Sequence, residues 1–377
     1  MRWVVVVLLS GCSSILGIDD FKLGDAGSSG AESGNEYCLG PTGWLVCVAS
    51  EPTEIKTPID ALSFNTTDSS LCLTAQPAAW KAAGQPDACF IVAKQITFGS
   101  AVKVSGGRPL VVLASDSITI TGQIDAASHS GSAPSNGPGA SATTCLAPTH
   151  PGGSANGGGG AAGGSFMTKG GDGGLATSPT GTRGIAAAPD TQPPILLRGG
   201  CDGDTGGVGS EAGGAAGKGG GAVYLLAGGR ITINGFINVS GSAGRGSGRL
   251  AGGGGGGSGG MIVLHAPMIA GTGGVLLANG GGAGGGGTGN IGGVAGAEPV
   301  PSMPSNIAQG GTGGGGAGGI GGNGFAGTTQ AGIGANGAPG ASGGGGGGGG
   351  GAGYIRVNEV PAGVTSSPAV SRVQIGF

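Results

Sequence analysis

One spacing of apolar residues recurs along the chain. Ile96, Phe98, Val102 and Val104 stand two, four and two residues apart. Ile118, Ile120, Ile124 and Ala126 repeat that spacing, as do Ile231, Ile233, Ile237 and Val239. A fourth set, Ile269, Gly271, Val275 and Leu277, carries glycine at one apolar position. Between the two pairs of each set lies a glycine bend, at Gly99, Gly122, Gly235 or Gly273. Each set also follows an apolar run ending in alanine: Phe90-Ile91-Val92-Ala93, then the runs ending at Ala114, Ala227 and Ala266. Alternation of period two places Ile231 and Ile233 on one strand face and Thr232 and Asn234 on the other. The unit reads as strand, short strand, glycine bend, short strand. That is the form of one coil of a parallel β-solenoid, with inward aliphatics stacked on those of the next coil. A partial fifth unit, Gly353-Tyr354-Ile355-Arg356-Val357, is placed to close the stack.

The expected fold class is therefore all-β: solenoid-like short-strand repeats joined by long glycine-rich loops. A two-sheet antiparallel sandwich is the alternative, because short strands with glycine turns suit that too. The first two units follow each other closely, whereas glycine-rich insertions separate the later ones, each looping out after the third strand. The chain holds 99 glycines, with 9% charged and 4% aromatic residues. So much glycine supplies no side chains to bury and loses the most backbone entropy on folding. Collagen is excluded, because the glycines occur in runs and not strictly every third residue. The runs admit two readings. They could be mobile loops, or a bundle of polyproline-II-like strands in which only glycine permits close approach. Certain antifreeze proteins and phage adhesins contain such bundles, and this chain resembles them in composition. Interruptions at Ser258, Thr288 and Asn290, with no fixed triplet, favour mobile or irregular loops.

The first residues, Met1-Arg2-Trp3 and then Val4 to Leu9, place one positive charge before a short apolar run. That is the architecture of a secretory signal, and it is far too short to span a bilayer. Leu9-Ser10-Gly11-Cys12 matches the bacterial lipobox, where the Cys is acylated and the chain is cleaved before it. Residues 1–11 are thus expected to be a signal peptide, and Cys12 the lipidation site. Residues 12–36 read as a flexible tether. Residues 37–89 form a small Cys-rich segment, and 90–377 a glycine-rich β-repeat region. Setting Cys12 aside leaves Cys38, Cys47, Cys72, Cys89, Cys145 and Cys201. An exported chain would carry these as three disulfides. Sequence allows 15 connectivities, and pairing of nearest neighbours, whose loops close easily, is preferred.

The stretch from Cys12-Ser13-Ser14-Ile15 to Asp19-Asp20-Phe21 resembles the start of many myxobacterial lipoproteins. Arg198-Gly199-Gly200-Cys201 and the glycine blocks resemble a glycine-rich, uncharacterised subset of them. The resemblance implies no catalytic residues. It implies anchoring through Cys12, and Ser13 after that Cys favours the outer membrane by the usual sorting rule.

Candidate chemistry is sparse. Asp116 and Asp125 lie on repeat strands, but the equivalent third-unit positions are Gly229 and Asn238. A solvated strand face is the simpler reading of Asp125. Of the three histidines, His129 and His150 lie in Ser/Gly/Pro loops, and His265 occupies the place of Leu113 and Leu226 in its unit. No Ser-His-Asp arrangement emerges. Asp202 and Asp204, in Cys201-Asp202-Gly203-Asp204, are weak calcium candidates lacking the further ligands of an EF-hand loop. Asp172 amid glycines resembles the calcium-binding nonapeptide, but later blocks lack the recurring Asp. Trp44 and Trp80 are expected to fill the small core between the disulfides. A net charge of −3 gives no electrostatic reason to expect nucleic acid as a partner. The expectation is a lipid-anchored envelope or surface protein, structural or adhesive, with no cofactor and with an envelope polysaccharide or protein as partner. The alternative is a carbohydrate-active solenoid enzyme or carbohydrate-binding module.

Overall fold

The computed structural model describes residues 36–56, 63–131, 133–177, 181–339 and 342–372. Cys12, the expected signal peptide and nearly all of the expected tether lie outside them.

The Cys-rich segment contributes β1 (Tyr37–Leu39), β2 (Val46–Val48), β3 (Ile55–Lys56), β4 (Ser63–Asn65) and the short helix α1 (Ala78–Ala82). The repeats follow as β5 (Cys89–Phe98), β6 (Ala101–Ser105), β7 (Leu110–Ile120) and β8 (Gln123–Asp125). After a long excursion come β9 (Ala222–Ala227), β10 (Arg230–Ile233) and β11 (Phe236–Asn238). A shorter one precedes β12 (Met261–His265) and β13 (Met268–Leu277). A third leads to β14 (Tyr354–Val357), β15 (Ala362–Ser367) and β16 (Ser371–Arg372).

Apart from the β1–β2 hairpin, every strand belongs to one large sheet whose pairings are all parallel. Among the described residues, the antiparallel sandwich does not occur. Three ladders run through the sheet, and each joins the same strand of successive repeats. In the first, Phe90 pairs with Val111, Val111 with Tyr224, and Tyr224 with Val263. In the second, Ile96 pairs with Ile118, Ile118 with Ile231, and Ile231 with Ile269. In the third, Val102 pairs with Ile124, and Ile124 with Ile237. Stacking in register puts like side chains on like, and the inward aliphatics of all three ladders form one core with Ile91, Val112, Leu225 and Ile355.

The fourth repeat departs from the expected spacing. Leu276, not Val275, pairs with Ile237, and Leu276 and Ala278 enter the core. Its glycine bend is one residue longer than those below, and Gly273 turns it with φ +70, a conformation that glycine adopts without strain.

The β1–β2 hairpin and α1 of the Cys-rich segment pack on the outer face of the first ladder, while β3 and β4 pair with β5 and β6. Trp44 and Trp80 are buried there with Phe90, Tyr224 and Met261, so they fill a core shared with the sheet and not a separate one. Disulfides join Cys38 to Cys47, Cys72 to Cys89 and Cys145 to Cys201, the nearest-neighbour pairing.

The glycine runs pack as a regular hydrogen-bonded bundle, where mobile or irregular loops were expected. All three excursions leave after the third short strand, so they come to lie side by side. Segment 250–260 is their hub. Its N–H groups donate to Gly207, Asp204 and Cys201, to Gly345, Gly348 and Gly351, and to Arg245, Ser242 and Val239. Its carbonyls accept from Gly158, Ala161 and Gly164, from Gly214, Gly217 and Gly220, and from Gly281, Gly284 and Gly287. Each neighbour is thus met at every third residue, the period of a polyproline-II helix, at 2.7–3.0 Å. Six strands surround the hub. A Cβ on Gly255 would lie 1.9 Å from the Ala162 oxygen, and one on Gly256 2.0 Å from the Gly281 oxygen. Only glycine fits. Ser258, an interruption of the glycine run, is wholly buried, and its hydroxyl accepts the Cys201 N–H at 2.8 Å.

Candidate functional site

Where the first excursion leaves β8, its path is fixed by short polar contacts. The Ser128 hydroxyl donates to the Gly219 carbonyl at 2.5 Å and accepts from Gly137 N–H at 2.9 Å. His129 and Ser135 exchange backbone hydrogen bonds, closing a small hairpin. This holds His129 over the end of β8, four residues from Asp125. The imidazole bridges two carboxylates: Nε2 lies 3.0 Å from Asp125 Oδ2, and Nδ1 2.8 Å from Glu298 Oε2. Glu298 belongs to the third excursion and also accepts from the Ser130 backbone and hydroxyl. Asn238, one repeat above, donates to Asp125 Oδ1 at 3.1 Å.

The electrostatics follow from that arrangement. The hydrogen bonds to Asp125 and Glu298 hold the imidazole protonated, with a pKa raised to about 9 against the opposing effect of burial. Burial pushes Glu298 up, but the bonds from His129 and Ser130 outweigh it and leave its pKa lowered. The result is an ionic clasp joining β8, β11 and the third excursion. Asp125 is therefore not the simple solvated residue expected of it. The partner that sequence reasoning missed is Glu298. It stands far along a glycine-rich segment, and no local pattern marks it.

A second polar centre surrounds the Cys145–Cys201 disulfide. Arg198 is buried, with its guanidinium 4.3 Å from the centre of the Phe166 ring. Its Nη2 pairs with the Asp190 carboxylate. Its Nη1 donates to the Thr144 hydroxyl at 2.9 Å and lies 3.3 Å from Cys145 Sγ and 3.8 Å from Cys201 Sγ.

The calcium candidates turn to protein donors. Asp202 accepts from Lys218 Nζ, Ser141 Oγ and Gly219 N–H, while Asp204 faces His150 and Thr205 N–H. Asp116 accepts from Gln95 at 2.6 Å. Asp172 pairs with Lys169 and accepts from Ala186 N–H. His265 is buried in register with Leu226, as its place in the repeat implied, and burial lowers its pKa.

Two shallow grooves, of about 460 and 390 Å³, lie on the outer bundle strands and share Ile320, Ala335 and Asn336. Exposed aliphatics on those strands include Ile291, Val294, Ile320 and Ile333. Among the described residues, no helix is long and apolar enough to cross a membrane. Three disulfides fit an oxidising compartment reached by export.

No family model, no curated protein and no solved structure matches the chain.

Proposed function

We propose that this chain is a lipid-anchored protein of the cell envelope or surface, with a structural or adhesive role. In this reading the in-register repeats are coils of a parallel β-solenoid, and the glycine bundle is a second rigid body grown from one corner of it. The observation that carries the proposal is the bundle itself. Backbone hydrogen bonds hold it from six sides at the hub, while its outer strands present Ile291, Val294, Ile320 and Ile333 to solvent. Rigid backbones with a few exposed aliphatics lose little entropy on meeting another surface, which suits adhesion to an envelope polysaccharide or protein. Cys12, preceded by Leu9-Ser10-Gly11, supplies the anchor, and Ser13 the outer-membrane address.

Membrane fractionation with mass spectrometry of the mature N-terminus tests the anchor. We expect acylated Cys12 in the membrane fraction, and Cys12→Ala protein in the soluble one. An unprocessed Met1 terminus on the native protein would end this reading.

A carbohydrate-active or carbohydrate-binding protein is the second reading, favoured by the two carboxylates, Asp125 and Glu298, that His129 brings together. Hydrolysis of envelope polysaccharide, lost in both Asp125→Asn and Glu298→Gln, would establish it in place of the first.

A further inference from the structure

The three disulfides sit in three different electrostatic settings. Cys38 and Cys47 share a site with Glu36, whose carboxylate oxygen and the two sulfurs all lie within 4.8 Å of one another. Cys72 and Cys89 are buried in the aliphatic core, and Cys72 Sγ lies 3.7 Å from the Thr66 carbonyl oxygen. An anionic sulfur is disfavoured in both places, by a negative neighbour in one and by burial in the other. Cys145 and Cys201 differ. Arg198 directs Nη1 of its guanidinium at both sulfurs, while Asp190 holds the other end through Nη2.

We propose that the Cys145–Cys201 bond is a thiol-exchange site, open to low-molecular-weight thiols while the fold persists. Cys145 is the entry. It lies in a surface turn and is partly exposed, whereas Cys201 is buried. An incoming thiolate attacks Cys145 Sγ, the S–S bond breaks, and the electron pair leaves on Cys201 Sγ beside Nη1. A second thiolate then attacks the external sulfur of the mixed disulfide. That releases the small-molecule disulfide and leaves a Cys145 thiolate beside the same nitrogen. One protein disulfide is reduced and two thiols are oxidised; the thiol protons pass to solvent or to the protein sulfurs. A cation near the leaving sulfur stabilises the thiolate at each step.

The position gives the exchange a consequence. The bond closes the excursion that carries segment 158–164 into the bundle. Gly158, Ala161 and Gly164 donate to Leu250, Gly253 and Gly256 through backbone bonds that do not involve the disulfide. Opening therefore loosens one excursion at its root and leaves the bundle bonded.

The test equilibrates the full chain in buffers of graded reduced-to-oxidised glutathione ratio, followed by alkylation and mass spectrometry of each cysteine. Cys145 and Cys201 should become alkylated at a more oxidising ratio than the other two pairs. Arg198→Gln should move their midpoint to a ratio about tenfold more reducing, the effect of roughly one pKa unit on the thiolate. Asp190→Asn, which frees the guanidinium from its carboxylate, should move it in the opposite direction. This second variant keeps the proposal testable if Arg198→Gln does not fold. In the reduced wild type, the alkylation rate of Cys145 should titrate below the ordinary thiol value of about 8.5. First opening at Cys38–Cys47, or a midpoint unmoved in both variants, would overturn the proposal.

Discussion

Thr232 and Ile233 are neighbours in β10 and differ chiefly in where they point. Ile233 is wholly buried in the core and pairs with Ile120, while Thr232 is partly exposed on the other face. Ile233→Asp would place a carboxylate among aliphatics and should cost several kcal/mol or force protonation. Thr232→Asp should fall within about half a kcal/mol of wild type, as surface substitutions usually do. Urea melts of the two variants separate these outcomes. Equal tolerance would mean that β10 does not bury alternate residues.

At the scale of elements, the length of a glycine run reports how completely a strand is surrounded. Collagen needs glycine at every third residue because only one side of each strand faces the axis. A strand bonded to six neighbours has no outward side and needs glycine nearly throughout, as at 252–257 and 343–351. Strands on the rim keep one free direction, and there the sequence admits Val294, Thr312, Ile320 and Ile333. The absence of a triplet thus counted for a buried bundle, although it reads at first as evidence of disorder. Gly255→Ala and Gly289→Ala test this. The first drives a Cβ to 1.9 Å from a backbone oxygen, whereas the second meets nothing within 4 Å. We expect Gly255→Ala to destabilise by about 3 kcal/mol or more, as overpacking of a rigid core can. Gly289→Ala should be neutral or stabilising by up to about 1 kcal/mol. Thermal melts that treat the two alike would show that the hub is not close-packed.

The strands were more legible than the bundle, for a physical reason. Burial of alternate residues writes itself locally, so Ile96, Ile118 and Ile231 could be aligned by spacing alone. The bend at Gly273 hid the shift to Leu276, because an added residue in a glycine turn leaves no mark on the apolar pattern. Bundle contacts run between backbones and carry no residue-specific signature beyond glycine itself. Contacts such as His129 with Glu298 join distant residues and are set only once the excursions have packed.

For the molecule as a whole, that contact makes stability depend on pH. The His129 pKa rises from 6.5 to about 9. Its contribution is therefore complete below about 6.5 and is lost as the pH climbs through about 9. Glu298, lowered from 4.5, contributes above that value and is lost as the pH falls through its lowered pKa. The clasp should thus tie the third excursion to the ladders most firmly between about pH 4.5 and 6.5. Melting temperature followed against pH should decline towards alkaline pH in the wild type and more shallowly in His129→Gln. Parallel profiles would show that the imidazole carries no ion pair.

The hub also sets the order in which the molecule can assemble. Its six neighbours are drawn from positions as distant as Gly158 and Gly351. Contacts between residues so far apart in the chain demand that large loops close before any bonding rewards the closure, and folding slows accordingly. While the chain is still being made, its glycine runs have no partners to bond. Only when residues 343–351 arrive can the bundle close on them. Until then the excursions lack the backbone bonds that hold them in the finished bundle, so this protein is at its weakest while it is being made.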